Sequence, residues 1–187
     1  MGKKVPGQEW MYTVYDRWDR PVASQDGNQR NAGLWSFVKY DELGRGIITG
    51  RVTSSRTWQQ LTDDIESAIA AGSIGRYEKK ASNTVGNIRI GYTLTQTWPT
   101  GLTDTNLYVI SYFDDYSYLN ASQANLQYQQ EAASDLASPS NSSTLTVGLP
   151  TINQTRTLGS LTWLTSVSYY DDKARVIQSK SENLLGE

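Results

Sequence analysis

Apolar positions along the chain follow two periods, and the change from one to the other divides it into elements. Residues 35–50 read Trp-Ser-Phe-Val-Lys-Tyr-Asp-Glu-Leu-Gly-Arg-Gly-Ile-Ile-Thr-Gly. Aromatic and β-branched residues flank Asp41-Glu42-Leu43-Gly44, which predicts a hairpin over about 35–52. Asp suits the first turn position because its carboxylate accepts backbone N–H groups ahead of it. Gly suits the fourth, where a left-handed φ is needed. Two further hairpins are predicted over about 10–24 and 161–180, with a polar loop over 24–33 that contains Asp26-Gly27-Asn28. Over 57–71 the period becomes helical. Trp58, Leu61, Ile65, Ala68 and Ile69 share one face, Thr57 and Gln60 form a capping-box pattern, and Gly72 is a stop.

The middle of the chain is less regular. Residues 77–84 are charged and give no period. A β segment is predicted over 87–118: residues 87–97 alternate through Ile88, Ile90, Tyr92 and Leu94, and residues 107–113 are apolar on both sides, as in a central strand. Residues 119–143, rich in Ser, Gln, Asn and Ala, read as a polar surface insertion. Short strands are then predicted over 145–150, 151–158 and 161–170.

The frame Tyr-Asp-x-x-x-Arg-x-hydrophobic occurs three times, at Tyr15-Asp16 with Arg20, Tyr40-Asp41 with Arg45, and Tyr170-Asp171 with Arg175. With 12 Tyr, 12 Asp and 10 Arg in 187 residues, chance would supply about 0.04 copies of Tyr-Asp-x-x-x-Arg, so the recurrence is an internal repeat. Copy two carries Gly44 before its Arg, whereas copy three carries Ala174. A degenerate fourth copy begins at Tyr112-Phe113-Asp114-Asp115, with Phe113 in the Tyr position.

Tyr-Asp-x-x-Gly-Arg resembles the signature of YD repeats in the RHS family of large surface and secreted proteins. Residues 15–51 and 162–186 resemble such segments in detail; the middle of the chain does so poorly. The resemblance implies a mainly β fold of stacked antiparallel hairpins in a twisted or spiralling sheet, here with one amphipathic helix on it. It implies a non-enzymatic wall or scaffold at the cell surface or in secretion, whose partners are neighbouring repeats of the same polypeptide. The chain then reads as a single fragment, 1–187, with both ends cut from a longer array.

Composition narrows the chemistry. Seventeen basic against 19 acidic side chains leave no footprint for nucleic acid. No run is apolar enough to span a membrane, and no signal-peptide pattern opens the chain. His and Cys are both absent, which removes the Ser-His-Asp arrangement and thiol chemistry. The pairs Asp63-Asp64, Asp114-Asp115 and Asp171-Asp172 read as turn and helix-surface charges, because adjacent strand residues face opposite ways. No catalytic residue, metal site or cofactor is expected. Each motif Arg is expected to pair with an Asp or a Tyr ring of its own or the next repeat. Six Trp and 12 Tyr against 2 Phe support an alternative, a carbohydrate- or protein-binding β-module. Its contacts would be Trp10, Trp18 and Trp98, which fall at strand ends or turns.

Overall fold

A computed structural model describes residues 2–4, 6, 9–119, 121–130 and 139–184. Among these, eleven strands and two α-helices make the protein mainly β and antiparallel, as the hairpin pattern implies. The chain divides into two compact units, Met1–Tyr108 and Val109–Glu187.

In the first unit, β1 (Gly2–Lys3), β2 (Met11–Tyr15), β3 (Pro21–Gln25), β4 (Leu34–Tyr40) and β5 (Gly46–Thr53) are neighbours in that order. The loop expected at 24–33 contains a short helix, α1 (Gly27–Asn31). Asp26 caps it by accepting from Gln29 N at 2.8 Å while Gln29 Oε1 accepts from Asp26 N at 2.9 Å. This capping box is local, but Gly27 and Asn28 read as turn residues and hid it.

The second helix, α2 (Trp58–Ala70), keeps its expected limits: Thr57 and Gln60 cap each other, and Gly72 ends it at φ 71°. Leu61 and Ile65 are buried against Val14, Val22, Ala23 and Trp35 of β2, β3 and β4. Burying each such side chain is worth about 1.5–3 kcal/mol, so packing rather than propensity holds this helix.

Strand β4 alternates strictly, with Trp35, Phe37 and Lys39 buried. A lysine in that register requires a partner, and Glu78 supplies it. Both side chains are fully buried, with Lys39 Nζ 2.7 Å from Glu78 Oε1. Lys39 also donates to Leu94 O at 3.1 Å and Thr97 O at 2.7 Å. Glu78 accepts from Thr97 N at 2.9 Å, Thr97 Oγ1 at 2.8 Å and Thr93 Oγ1 at 2.6 Å. Burial pushes the Lys39 pKa below the ordinary lysine range, with the Glu78 charge and hydrogen bond opposing it.

This ion pair ties residues 78–97 to β4, and the strand expected over 87–97 does not form as such. Only β6 (Thr84–Val85) and β7 (Ile88–Arg89) pair, with one further bridge between Lys80 and Tyr92. Gly86, at φ 58°, lies in the turn that joins β6 to β7, and Gly91, at φ 73°, lies just beyond the end of β7. The alternation still marks burial, since Ile90, Tyr92 and Leu94 are all inside.

In the second unit, β8 (Leu107–Phe113, which crosses the division), β9 (Pro150–Arg156), β10 (Trp163–Tyr170) and β11 (Val176–Ser181) follow in order. Between β8 and β9 the insertion is not wholly a surface feature. Leu126 is buried. Tyr128 meets Tyr169 at 5.4 Å. Just before the insertion, where the β segment expected to run to residue 118 has already ended with β8 at Phe113, Tyr116 meets Tyr169 at 4.7 Å and Tyr118 stacks on Tyr112 at 4.1 Å. The weak apolar spacing concealed this because tyrosines, each able to satisfy its own hydroxyl, supply the cover. Residues 120 and 131–138 of the insertion lie outside the described residues. The strand expected over 145–150 is absent: Leu145 and Val147 are exposed, and Thr146 and Gly148 are spent on a turn.

Lys39→Met would leave Glu78 buried without its cation and is expected to cost about 3–5 kcal/mol in urea unfolding. Adding Glu78→Leu is expected to restore part of that loss, the remainder reflecting the donors stranded on Thr93 and Thr97. A single-variant cost below about 1 kcal/mol would mean the pair is not the tie described.

Candidate functional site

The three Tyr-Asp copies fold into one bend, built by the aspartate. In the first, Asp16 Oδ1 accepts Trp18 N and Arg20 N at 2.9 and 3.0 Å, and Oδ2 accepts Arg20 Nε at 2.9 Å. In the second, Asp41 does the same with Leu43 N, Arg45 N and Arg45 Nε at 3.0, 2.9 and 2.6 Å. In the third, Asp171 does so with Lys173 N, Arg175 N and Arg175 Nε at 2.9, 2.9 and 2.7 Å. Each Asp N–H also donates to the carbonyl of its Arg, and each Asp carbonyl accepts the N–H three residues on. That last residue, Asp19, Gly44 or Ala174, has φ of 58°, 79° or 59°. Every copy carries a bulge before its Tyr, pairing Tyr15 with Pro21, Tyr40 with Gly46 and Tyr170 with Val176. The planar guanidinium suits this role because Nε and the backbone N–H approach one carboxylate together, which an ammonium on a flexible stem does less well.

The degenerate fourth copy is the same bend, opened. Phe113 pairs with Pro150 after a bulge, and Asp114 N donates to Leu149 O at 3.1 Å, where the regular copies have Arg O. Residues 115–148 are thus inserted within a Tyr-Asp bend.

Successive ribbons are joined through the tyrosine. Tyr40 Oη donates to Pro21 O at 2.7 Å in the first unit, and Tyr170 Oη donates to Pro150 O at 2.7 Å in the second. Each Pro stands opposite the aromatic residue of the preceding ribbon. Arg20 lies over the Tyr40 ring at 4.6 Å while holding Asp16. Burial raises the Tyr40 pKa, and Arg20 opposes that shift. The motif names the donors of these contacts but not their acceptors, because a carbonyl carries no residue signature.

Of the other expected contacts, Trp18 and Trp98 share one crevice and Trp10 stands apart. Trp10 is exposed. Trp18 is flanked by Arg20 and Arg76 at 5.5 and 5.8 Å, and Trp98 is half-buried against the α2 core. Trp18 and Trp98 line one crevice of about 20 Å³, room for a single water rather than a sugar ring, and Trp10 is not part of it. The paired carboxylates face separate partners. Asp63 accepts from Gln59 and Asp64 from Arg56; Asp115 accepts from Ser117 and Asp172 from Ser143. Among the described residues no three His, Cys, Asp or Glu side chains gather as metal ligands.

A cleft of about 440 Å³ opens beside the start of α2. Tyr12 and Trp58 stack in its wall at 6.5 Å, with Arg30 over Tyr12 at 5.0 Å. Sequence reading missed it, since Trp58 registers only as part of the helix stripe. Comparison with known proteins finds no family model, no curated protein and no solved structure that matches this chain.

Two predictions follow from the bend. A Cβ built on Gly44 would meet nothing within 4 Å, so Gly44→Ala tests the backbone alone. It is expected to destabilise by about 1 kcal/mol, and Ala174→Gly to stabilise by a similar amount. Thermal unfolding of both variants checks this, and equal melting temperatures would contradict it. The Asp171 carboxyl, held mainly by the Arg175 side chain, has its pKa lowered from 3.8 to about 2. Its folded pKa is depressed, so its contribution is complete above pH 3.8 and is lost as pH falls through about 2. Carboxyl titration by NMR is expected to show that midpoint, moved upward in Arg175→Ala.

Proposed function

We propose that this chain is a non-enzymatic structural segment of an RHS-like, YD-repeat protein of the cell surface or secretion route. Its stacked ribbons form wall, and its partners are neighbouring repeats of the same polypeptide. The observation carrying this reading is how the repeated residues are used. Each motif Asp and Arg is engaged within its own bend, and Tyr40 and Tyr170 are engaged with the preceding ribbon. Residues repeated for ligand binding would instead point away from the fold.

Register supports the same reading. Ala23 stands opposite Phe37, and Ile152 opposite Val167, in each case the residue two after the Pro facing the one three before the Tyr. β1 repeats this, with Gly2 opposite Tyr12, three before Tyr15. One rule of addition therefore recurs along the ribbons, as an extensible array requires. The surface or secreted location rests on the family resemblance.

The second reading, a glycan- or protein-binding module, is favoured by the cleft at Tyr12 and Trp58, whose stacked rings and nearby guanidinium suit a planar or sugar ligand.

A glycan array followed by tryptophan-fluorescence titration separates the two. The wall reading expects no saturable quenching. It also expects Tyr40→Phe to lower stability by about 0.5–1.5 kcal/mol through loss of the hydrogen bond to Pro21. Saturable quenching abolished by Tyr12→Ala, Trp18→Ala or Trp98→Ala would replace the wall with a binding module.

A further inference from the structure

The ribbon junction has a donor side and an acceptor side, and among the described residues no strand pairs with the acceptor side of β11, whose Gln178 side chain bonds the Gln129 backbone. β11 has β10 as its one neighbour among the described residues. Val176 occupies the position held by Pro21 and Pro150 at the two junctions described above, opposite the aromatic residue of its own ribbon. It is 55% exposed. Arg175, like Arg20, holds its Asp through Nε, yet its side chain is 70% exposed against 15% for Arg20, which lies under the Tyr40 ring.

We propose that the outer edge of β11 is a docking site for a further Tyr-Asp ribbon. The incoming tyrosine lays its ring on the Arg175 guanidinium and donates its hydroxyl to the Val176 carbonyl. The register follows from both internal junctions: Gln178 faces the residue three before that tyrosine and Ser179 the residue four before, as Ala23 and Ser24 face Phe37 and Ser36. Strand addition supplies backbone hydrogen bonds in any register, whereas the tyrosine sets one register and selects this ribbon over an arbitrary strand. The Arg–ring contact is electrostatic, so it favours a bare phenol face rather than an aliphatic side chain at that position. This proposal rests on the wall reading and adds to it the chemistry of the partner.

The test uses the full chain, ¹⁵N-labelled, titrated with a cyclised peptide of residues 34–53 as probe, which carries Tyr40. Saturable shifts are expected for the amides of residues 175–181. A probe with Tyr40→Phe is expected to bind at least about fivefold more weakly, and Arg175→Ala in the chain is expected to weaken binding similarly. Val176→Pro, which reproduces the residue of both internal junctions, is expected to retain binding, and it guards against a loss caused merely by disturbing the bend. Silence of residues 175–181, equal affinity for the Phe probe, or concentration-dependent shifts of the chain alone (a second copy taking the edge) would each overturn the proposal. Failure of the wall reading shows elsewhere, as glycan-dependent tryptophan quenching that leaves these amides unmoved.

Discussion

A single carboxylate, two or three bonds from the backbone it organises, governs how this chain turns. Aspartate is short enough to receive the N–H groups two and four residues ahead on one oxygen and a guanidinium on the other. Replacing any part changes the bend: glutamate is a methylene too long, lysine has no Nε to share the carboxylate edge, and asparagine carries no charge for the arginine. The cost is a residue in the left-handed region at the fourth position, met once by Gly, once by Asp and once by Ala. Aspartate adopts that conformation at less cost than alanine, so the three bends differ in strain while sharing a shape.

From that bend the rest of each ribbon is placed. At Tyr40 and Tyr170, each preceded by a bulge, the phenol reaches the carbonyl that opposes the previous aromatic residue. Proline suits this acceptor position because the strand needs no N–H there, and its carbonyl remains free to receive a hydroxyl. Arginine serves twice, as a fork for its own aspartate and, at Arg20, as a platform for the next tyrosine. The fourth bend shows how tolerant the scheme is. Its two halves, Phe113-Asp114 and Leu149-Pro150, still meet across a long insertion, because loop closure grows costly only slowly with length.

The buried Lys39–Glu78 pair is a different kind of constraint. It lies in the strand that carries the second motif, one residue before Tyr40, and commits an otherwise irregular stretch to that strand. Such a pair often contributes no more to stability than a hydrophobic pair of equal volume, but removing either partner alone is severe. Here it joins β4 to residues 78, 94 and 97 through one buried group of contacts. The tyrosine cluster around Tyr169 does the corresponding work for the insertion in the second unit, with the Tyr169 hydroxyl bound to Leu126 O at 2.7 Å.

What the sequence determined by itself is whatever is encoded within about six residues: the three Tyr-Asp bends, the limits of α2 from Thr57 to Gly72, and the β character of the flanking strands. These were legible because the interacting atoms belong to neighbours in the chain, so a spacing is already a geometry. The helix at Gly27–Asn31 was equally local and was missed only because turn-forming residues spell it. Tertiary structure alone decided the rest. Nothing near Lys39 announces a partner 39 residues away, and nothing in the alternation at 87–97 says that the strand will stop at Arg89 while later side chains stay buried. The cleft at Tyr12 and Trp58, the crevice shared by Trp18 and Trp98, and the meeting of Phe113 with Pro150 all join distant segments. Their contacts are satisfied only after the chain has folded, since carbonyls, ring faces and buried charges find their partners by position rather than by residue type.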